Sequence, residues 1–329
     1  MSNCSAGTVP GPHMRKSAPD IPGLVEVARL YYESGLTQEK IAGALKLSRP
    51  GVQRMIQAAR DLGIVTITIT DPLDRTAEVG RRLKEAFGLD RVIVVPSVRG
   101  DADATKARVG EAGARCLEEM LDDAVTLGVA WGTTVRAVAR ALHPRHTKRL
   151  RVVQMVGELG LATEASETFR AIADRLDGQA IALPAPAMEK NPGIRRSILQ
   201  SAHIQEVFRV LREANIALTG IGPVSSEATI VKRGQVTEEV MRRLAKQGAA
   251  GEMNTKFFDT RGRPLSAINA QIIGVELEDI RRIPRVIAVV SDGPGKDIAV
   301  VGALRGRYIN VLVIDEGLAN KVLARNTAA

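Results

Sequence analysis

Apolar residues recur at helical spacing over 21–32, with Leu24, Val27, Ala28, Tyr31 and Tyr32 on one face. This pattern predicts a helix that stops at Gly35, a residue suited to a C-terminal cap. A second, shorter helix follows Thr37, its apolar face made by Ile41, Ala42, Ala44 and Leu45. Lys40 stands where a capping box takes Glu or Gln, so the capping signal there is partial. A third helix follows Ser48, a good N-cap, with Pro50 tolerated in its first turn. It runs to about Leu62, turns Val52, Met55, Ile56 and Ala59 inward, and ends at Gly63. The stretch 64–70 then alternates like a half-exposed strand.

Asp71-Pro72 breaks that strand, and the next apolar-periodic segment, ending at Phe87, reads as a linker helix within 71–90. Beyond it, short apolar runs at 92–95, 124–130, 151–156, 179–183, 216–219, 286–290 and 311–314 predict strands. Helical stretches fall between them at 106–121, 134–142, 167–176, 193–199 and 204–213. This alternation predicts an open α/β domain over 91–329, Rossmann-like, with a mostly parallel sheet and helices on both faces. The expected organisation is therefore a disordered tail at 1–20, a helical domain at 21–70, the linker, and a large α/β domain.

Composition narrows the class without changing this layout. No apolar run reaches the ~18 residues of a membrane span, and the Gly-, Pro- and Ser-rich start has no secretory core. Only Cys4 and Cys116 are present, which excludes a disulfide framework and a thiol zinc site and fits a reducing cytoplasm. The net charge of +9 suggests an anionic partner. That charge is spread, however: residues 21–70 hold six Lys/Arg against four Asp/Glu, and 281–329 hold eight against four.

Two short helices, a tight turn and a polar-faced third helix make a helix-turn-helix. Its second helix would enter the major groove of double-stranded DNA, where Arg and Gln side chains make bidentate contacts to base edges. Candidate contacts are Thr37, Gln38, Ser48, Arg49, Gln53, Arg54 and Gln57, with Arg49 as suited to phosphate as to base. A helical bundle used only for packing or dimerisation is the alternative.

In open parallel sheets ligands bind beyond the carboxyl ends of strands, so the loops there carry the candidate chemistry. Gly132-Thr133-Thr134 follows a strand and opens a helix, an arrangement suited either to an oxyanion or to simple capping. Gly220-Ile221-Gly222-Pro223 lacks the third Gly of a dinucleotide fingerprint. Glu252, after Gly251, can accept from sugar hydroxyls or sit solvated. Lys296, behind Gly293 and Gly295, can reach a phosphate or stand idle.

Across residues 24–324 the chain resembles the SorC family of sugar-responsive bacterial regulators, often grouped as SorC/DeoR-like. The matching segments are LYYESGLTQEKIAGALKLSR, LGVAWGTTV, ALPAPA, LTGIGP, GAAGEMNTKFFDTRG and GRYINVLVIDEGLA. The resemblance implies an effector domain similar to sugar-phosphate isomerases, homo-oligomers (dimers or tetramers), and DNA binding controlled by a phosphorylated sugar or polyol. It places Gly132, Thr133, Thr134 and Lys296 at phosphate and Glu252 at sugar hydroxyls; Trp131 matches too, as a packing residue. Two departures bear on the ligand. Gly157 is followed by Glu158 where the family pairs glycines, and the lysine loop reads SDGPGK in place of AGGxxK. Both are expected to line the pocket.

The alternative function is a sugar-phosphate isomerase or deaminase-like enzyme with a DNA-binding appendage. Such an enzyme needs an acid and a base at the sugar carbonyl. Glu252 has no convincing partner, and His143 and His146 flank Pro144 at a helix end. Neither a nucleophile motif nor a metal-ligand spacing appears, so no catalytic residue, metal or cofactor is expected.

Overall fold

The computed structural model describes residues 20–65, 67, 75–158, 164–232, 234 and 236–327. The chain divides into two compact units, Met1–Ile69 and Thr70–Ala329. The expected disordered tail, apart from Asp20, lies outside the described residues. So does most of the expected strand at 64–70, where Ile64, Val65 and Ile67 are described and form none.

Three helices build the first unit: α1 (Ile21–Ala28), α2 (Gln38–Leu45) and α3 (Arg49–Asp61). Val27, Ile41, Ala42, Val52 and Ile56 form one small core, and Leu24, Ala28 and Ala59 a second. The first helix does not stay α-helical to Tyr32. Its last turn, Arg29–Glu33, widens into a π segment closed by Ser34 N–H donating to the Arg29 carbonyl at 3.0 Å. Tyr32 from that segment accepts a 2.6 Å hydrogen bond from Arg60 Nε, tying it to α3.

The second unit holds α4 (Arg75–Phe87), β1 (Arg91–Val95), α5 (Ala102–Met120), β2 (Thr126–Val129), α6 (Thr133–Ala141), β3 (Arg151–Gln154) and α7 (Glu164–Arg175). Next come β4 (Gln179–Ile181), α8 (Pro192–Gln200), α9 (Ala202–Arg212), β5 (Ile216–Thr219), β6 (Gly222–Pro223), α10 (Thr229–Lys232) and α11 (Glu238–Lys246). The chain closes with β7 (Ala249–Met253), β8 (Lys256–Asp259), α12 (Ser266–Asn269), α13 (Leu277–Ile280), β9 (Arg285–Val290), α14 (Lys296–Arg305), β10 (Val311–Asp315) and α15 (Glu316–Thr327).

Seven strands form one sheet in the order β1-β10-β9-β5-β2-β3-β4, and every pair is parallel. A parallel sheet needs cover on both faces, and alternate strand residues serve two cores. Leu312, Ile314, Ala288 and Val290 join α9, α14 and α15 on one face. Val311, Val313, Ile287 and Val289 join α5, α6 and α7 on the other.

The segment read as a linker is part of this domain. In α4, Leu83 is fully buried and Val79 nearly so, both in the core shared with α14 and α15. A buried Leu contributes ~1.5–3 kcal/mol, which fixes the helix to the sheet. A second sheet, β6-β7-β8, is antiparallel and was not expected from the pattern. Among the described residues no helix is long and apolar enough to cross a membrane.

Candidate functional site

Two surfaces carry the residues singled out above. In the first unit, Thr37 caps α2 by accepting from Lys40 N–H at 3.3 Å, and Ser48 caps α3 by accepting from Gly51 N–H at 3.1 Å. Each such cap is worth about 1 kcal/mol, and each hydroxyl keeps its proton to donate elsewhere. Between the helices, Lys46 takes a left-handed conformation at φ 54°, which makes the tight turn. Arg49, Gln53 and Gln57 lie four residues apart on one exposed stripe of α3, and Arg54 is exposed beside it. Gln38 is half-buried at the start of α2.

Besides the two caps, Arg49 and Gln57 have partners. Arg49 pairs with Glu39 at 3.1 Å, and Gln57 donates to Asp61 Oδ1 at 2.8 Å. Both ends of the Arg49–Glu39 pair are about two-thirds exposed (66% and 65%), so it contributes no more than ~1 kcal/mol. A phosphate can displace Glu39 at that cost.

The second surface follows from the topology of the large sheet. After β2 the chain moves outward to β3 and β4; after β5 it moves the opposite way to β9 and β10. The adjacent carboxyl ends of β2 and β5 therefore open a crevice at the point where the winding reverses. A cavity of about 150 Å³ lies there. Four of its walls matter to the chemistry: the loop Trp131–Thr134, the β5–β6 turn at Gly220–Pro223, Glu252 with Asn254, and the loop holding Gly293 and Lys296. The cavity thus brings together Gly132, Thr133, Thr134, Glu252 and Lys296, which are scattered over more than 160 positions of sequence.

Local conformation explains each placement. Gly132 sits at φ 156°, ψ 151°, a region open essentially to glycine. It begins α6 without a side-chain cap, so the first N–H groups of that helix and its dipole face the loop. Glu252 lies in β7 with Oε2 accepting from Thr255 N–H at 2.9 Å. Its Oε1 fits only because Gly222 has no side chain: a Cβ there would stand 1.9 Å away. Lys296 begins α14, and its Nζ donates to the Ile221 carbonyl of the β5–β6 turn.

Burial sets the electrostatics. It pushes the Lys296 ammonium down to about 8, with Lys106 adding to the shift and Glu252 opposing it. The same burial pushes the Glu252 carboxyl up, against the Thr255 N–H and the charge of Lys296. An anion arriving at Lys296 restores what desolvation takes from its charged form.

The β7–β8 hairpin turn is strained. Asn254 and Thr255, its two central residues, have φ of 52° and 65°, as a type I′ turn requires. A branched Thr in that region costs ~1–3 kcal/mol. Thr255 is held there by Glu252 and by Trp131, whose Nε1 donates to its hydroxyl at 3.2 Å. Trp131 therefore both lines the cavity and positions the turn. Asn254, Ser225 and Glu227 also line the cavity and were not singled out from sequence. The one available signal was the polar Asn254-Thr255 pair between Met253 and Lys256, a turn mark that does not reveal what the turn faces.

The two departures from the family pattern separate. Gly293, Pro294 and Lys296 of the lysine loop line the cavity, but Glu158 does not. Its backbone bridges to Pro186, and its carboxylate accepts from Gln154 Nε2 at 3.3 Å. The expectation that Glu158 adds a charge to the pocket is thus corrected. His143 meets Glu118 and His146 meets Asp177, and neither lines the cavity.

Residues 71–324 match the family described as "Putative sugar-binding domain". The deoxyribonucleoside regulator of Bacillus subtilis (strain 168) is 36% identical over 303 residues, covering 91% of this chain and 96% of that protein. The transcriptional regulator LsrR of Escherichia coli O9:H4 (strain HS) is 28% identical, over 91% of this chain and 94% of its own. Among solved structures, the full-length sorbitol operon regulator SorC from Klebsiella pneumoniae aligns with a TM-score of 0.76 at 28% identity. That alignment covers 93% of this chain and all of the other. The cavity between β2 and β5 falls inside the residues that the family model matches, and the chain belongs to the SorC family of transcriptional regulators with a sugar-binding domain.

Proposed function

We propose that this chain binds operator DNA through α3 and releases or rearranges on it when a small phosphorylated sugar or polyol enters the β2/β5 cavity. The observation that carries this reading is that half-buried Lys296, the uncapped start of α6 and the acceptor Glu252 line one cavity. One end of the cavity suits a phosphate, whose oxygens take N–H and ammonium donors. The Glu252 carboxyl in the same cavity suits hydroxyls. The names of the relatives, one a deoxyribonucleoside regulator and one a sorbitol operon regulator, support control of carbohydrate or polyol genes.

On the DNA side, Arg54, Gln53 and Gln57 supply base-edge donors, while Arg49, Thr37, Gln38 and Ser48 serve the backbone. The net charge of this unit is small, so affinity rests on pairing two or more copies in a dimer or tetramer. Half-sites then lie about one helical turn apart, or multiples of it. The effector acts only through its differential affinity for two arrangements of that assembly. The protein works in the cytoplasm as a sensor.

The test is a thermal-shift and calorimetry panel of ribose, deoxyribose, fructose and sorbitol phosphates against their unphosphorylated forms. A phosphorylated compound is expected to raise the melting temperature by mass action while its dephosphorylated form does not. Equal effects of both forms, or none from any phosphorylated compound, contradict the reading. Turnover of a bound compound, followed by NMR, would instead establish the enzyme.

A further inference from the structure

Most of the chain's positive charge lies outside the unit that holds α3. Residues 71–329 contain 38 Lys/Arg against 32 Asp/Glu and so carry +6 of the net +9, while 21–70 carry +2. Part of that excess gathers at one backbone crossing. Arg261-Gly262-Arg263 follows β8, and Arg305-Gly306-Arg307 spans the end of α14. The two tripeptides meet at their glycines: a Cβ on Gly262 would stand 2.3 Å from Gly306 Cα. Only residues without side chains let backbones approach this closely.

Several bonds fix the crossing. Asp259 Oδ1 accepts from the N–H groups of Arg261 and Arg263 at 2.9 and 2.8 Å. The Tyr308 hydroxyl donates to the Gly262 carbonyl. Arg281 Nε donates to the Gly306 carbonyl at 2.7 Å, its guanidinium 4.6 Å from the centre of the Tyr308 ring. Arg305 donates to the Thr260 carbonyl at 3.4 Å. Five arginines therefore share one rigid base, and their charge is little answered. Asp259 pairs with Arg263 at 2.7 Å. Among the described residues no carboxylate comes within 4.0 Å of the guanidinium of Arg261, Arg281, Arg305 or Arg307.

Arg261, Arg263 and Arg307 are exposed. Small anions are held in enclosed sites. Guanidinium groups on an open surface match an extended polyanion, whose phosphates each take a planar fork of N–H donors. Duplex DNA is that polyanion for a transcriptional regulator. Resting on the DNA-binding function proposed above, we infer that the Gly262/Gly306 crossing is a second DNA surface, which holds the phosphate backbone without regard to sequence. α3 supplies the choice of sequence. The crossing adds affinity that falls with salt, because each phosphate neutralised releases counterions.

The experiment is fluorescence anisotropy with the full chain over a salt series. It uses two duplexes of equal length, one selected by the protein from a random pool and one of arbitrary sequence. The variants are Arg261→Gln with Arg307→Gln, Arg261→Lys with Arg307→Lys, and Arg54→Ala. On the arbitrary duplex the glutamine pair is expected to bind about ten-fold more weakly at low salt, with a salt slope shallower by about two. The lysine pair keeps the wild-type slope, and both pairs melt like wild type. Arg54→Ala loses affinity for the selected duplex and little for the arbitrary one. The inference is overturned if the glutamine pair keeps the wild-type slope or binds the arbitrary duplex within about two-fold of wild type at low salt. It is also overturned if that pair changes the sedimentation of the free protein, since the arginines then serve an acidic face of a second copy. If Arg54→Ala instead binds the selected duplex like wild type, α3 fails as the reader of sequence, and the glutamine pair still decides this inference by itself.

Discussion

The polar groups of α3 and those of the β2/β5 cavity live under opposite conditions. On α3 the side chains suited to DNA are exposed, and two of them rest on neighbours, Arg49 on Glu39 and Gln57 on Asp61. In the cavity burial pulls Lys296 down to about 8 and pushes Glu252 up, and Asn254 and Ser225 each keep a buried polar atom without a partner among the described residues. Exposed groups exchange one partner for another at a cost below about 1 kcal/mol, so a surface can serve DNA without looking unfinished. Buried groups lack water as an alternative, so a binding cavity shows in its unmet hydrogen bonds. The two regions thus call for different kinds of argument: order of motif for the first, accounting of buried atoms for the second.

The contrast breaks most sharply at Lys296. Lys296→Met is expected to weaken a phosphorylated effector by about a hundred-fold or more, since it removes the cation from a desolvated pair. Operator affinity without effector should stay unchanged. The pH dependence has a definite sign. Folding holds Lys296 at about 8, below its ordinary 10.5, so the folded chain sheds this proton first as pH rises. The cost of burying the charge is present below pH 8 and fades between about 8 and 10.5. Over that window wild type gains stability relative to Lys296→Met in paired denaturant melts. Effector affinity moves the other way across the same window, because a neutral amine no longer holds a phosphate.

Arg54→Ala probes the other surface and should cost operator binding about ten- to hundred-fold at fixed salt. Effector affinity measured by calorimetry should not move. The smallest effect is expected from Glu39→Gln, which frees Arg49. It should raise DNA affinity by no more than about five-fold, and the gain should shrink with added salt as exposed charges are screened. An unchanged affinity at low salt would show that Arg49 does not face phosphate.

What was legible in the sequence followed from periodicity and length. The inner strands of the parallel sheet appear as apolar runs because burial on both faces leaves little room for polar alternation, as in Arg285–Val290 and Val311–Asp315. The caps at Thr37 and Ser48 were legible because capping is local chemistry. The second sheet was hidden. Its β7 is Ala-Ala-Gly-Glu-Met, without a β-branched residue, β6 is two residues long, and β8 buries Lys256 completely. That lysine donates to the Asn269 and Ile272 carbonyls and to Glu276, partners 13 to 20 residues away, which no local pattern predicts. Likewise α14 is apolar nearly all round, so it reads as a run and not as an amphipathic helix. In the cavity, charged or glycine-flanked positions such as Lys296 and Gly132 stood out from sequence. Asn254 did not, because only the fold brings the β7–β8 turn to the cavity.

The central claim is that α3 and the cavity are separate devices joined by the effector. It is tested most directly by fluorescence anisotropy on a DNA duplex selected by the protein from a random pool. Wild type, Arg54→Ala and Lys296→Met are each titrated onto the duplex with and without the phosphorylated sugar that stabilises the wild type. The account predicts that Arg54→Ala binds the duplex weakly while still binding the sugar. Lys296→Met should bind the duplex like wild type but no longer respond to that sugar. Loss of duplex binding in Lys296→Met, or a full sugar response in it, would contradict the account.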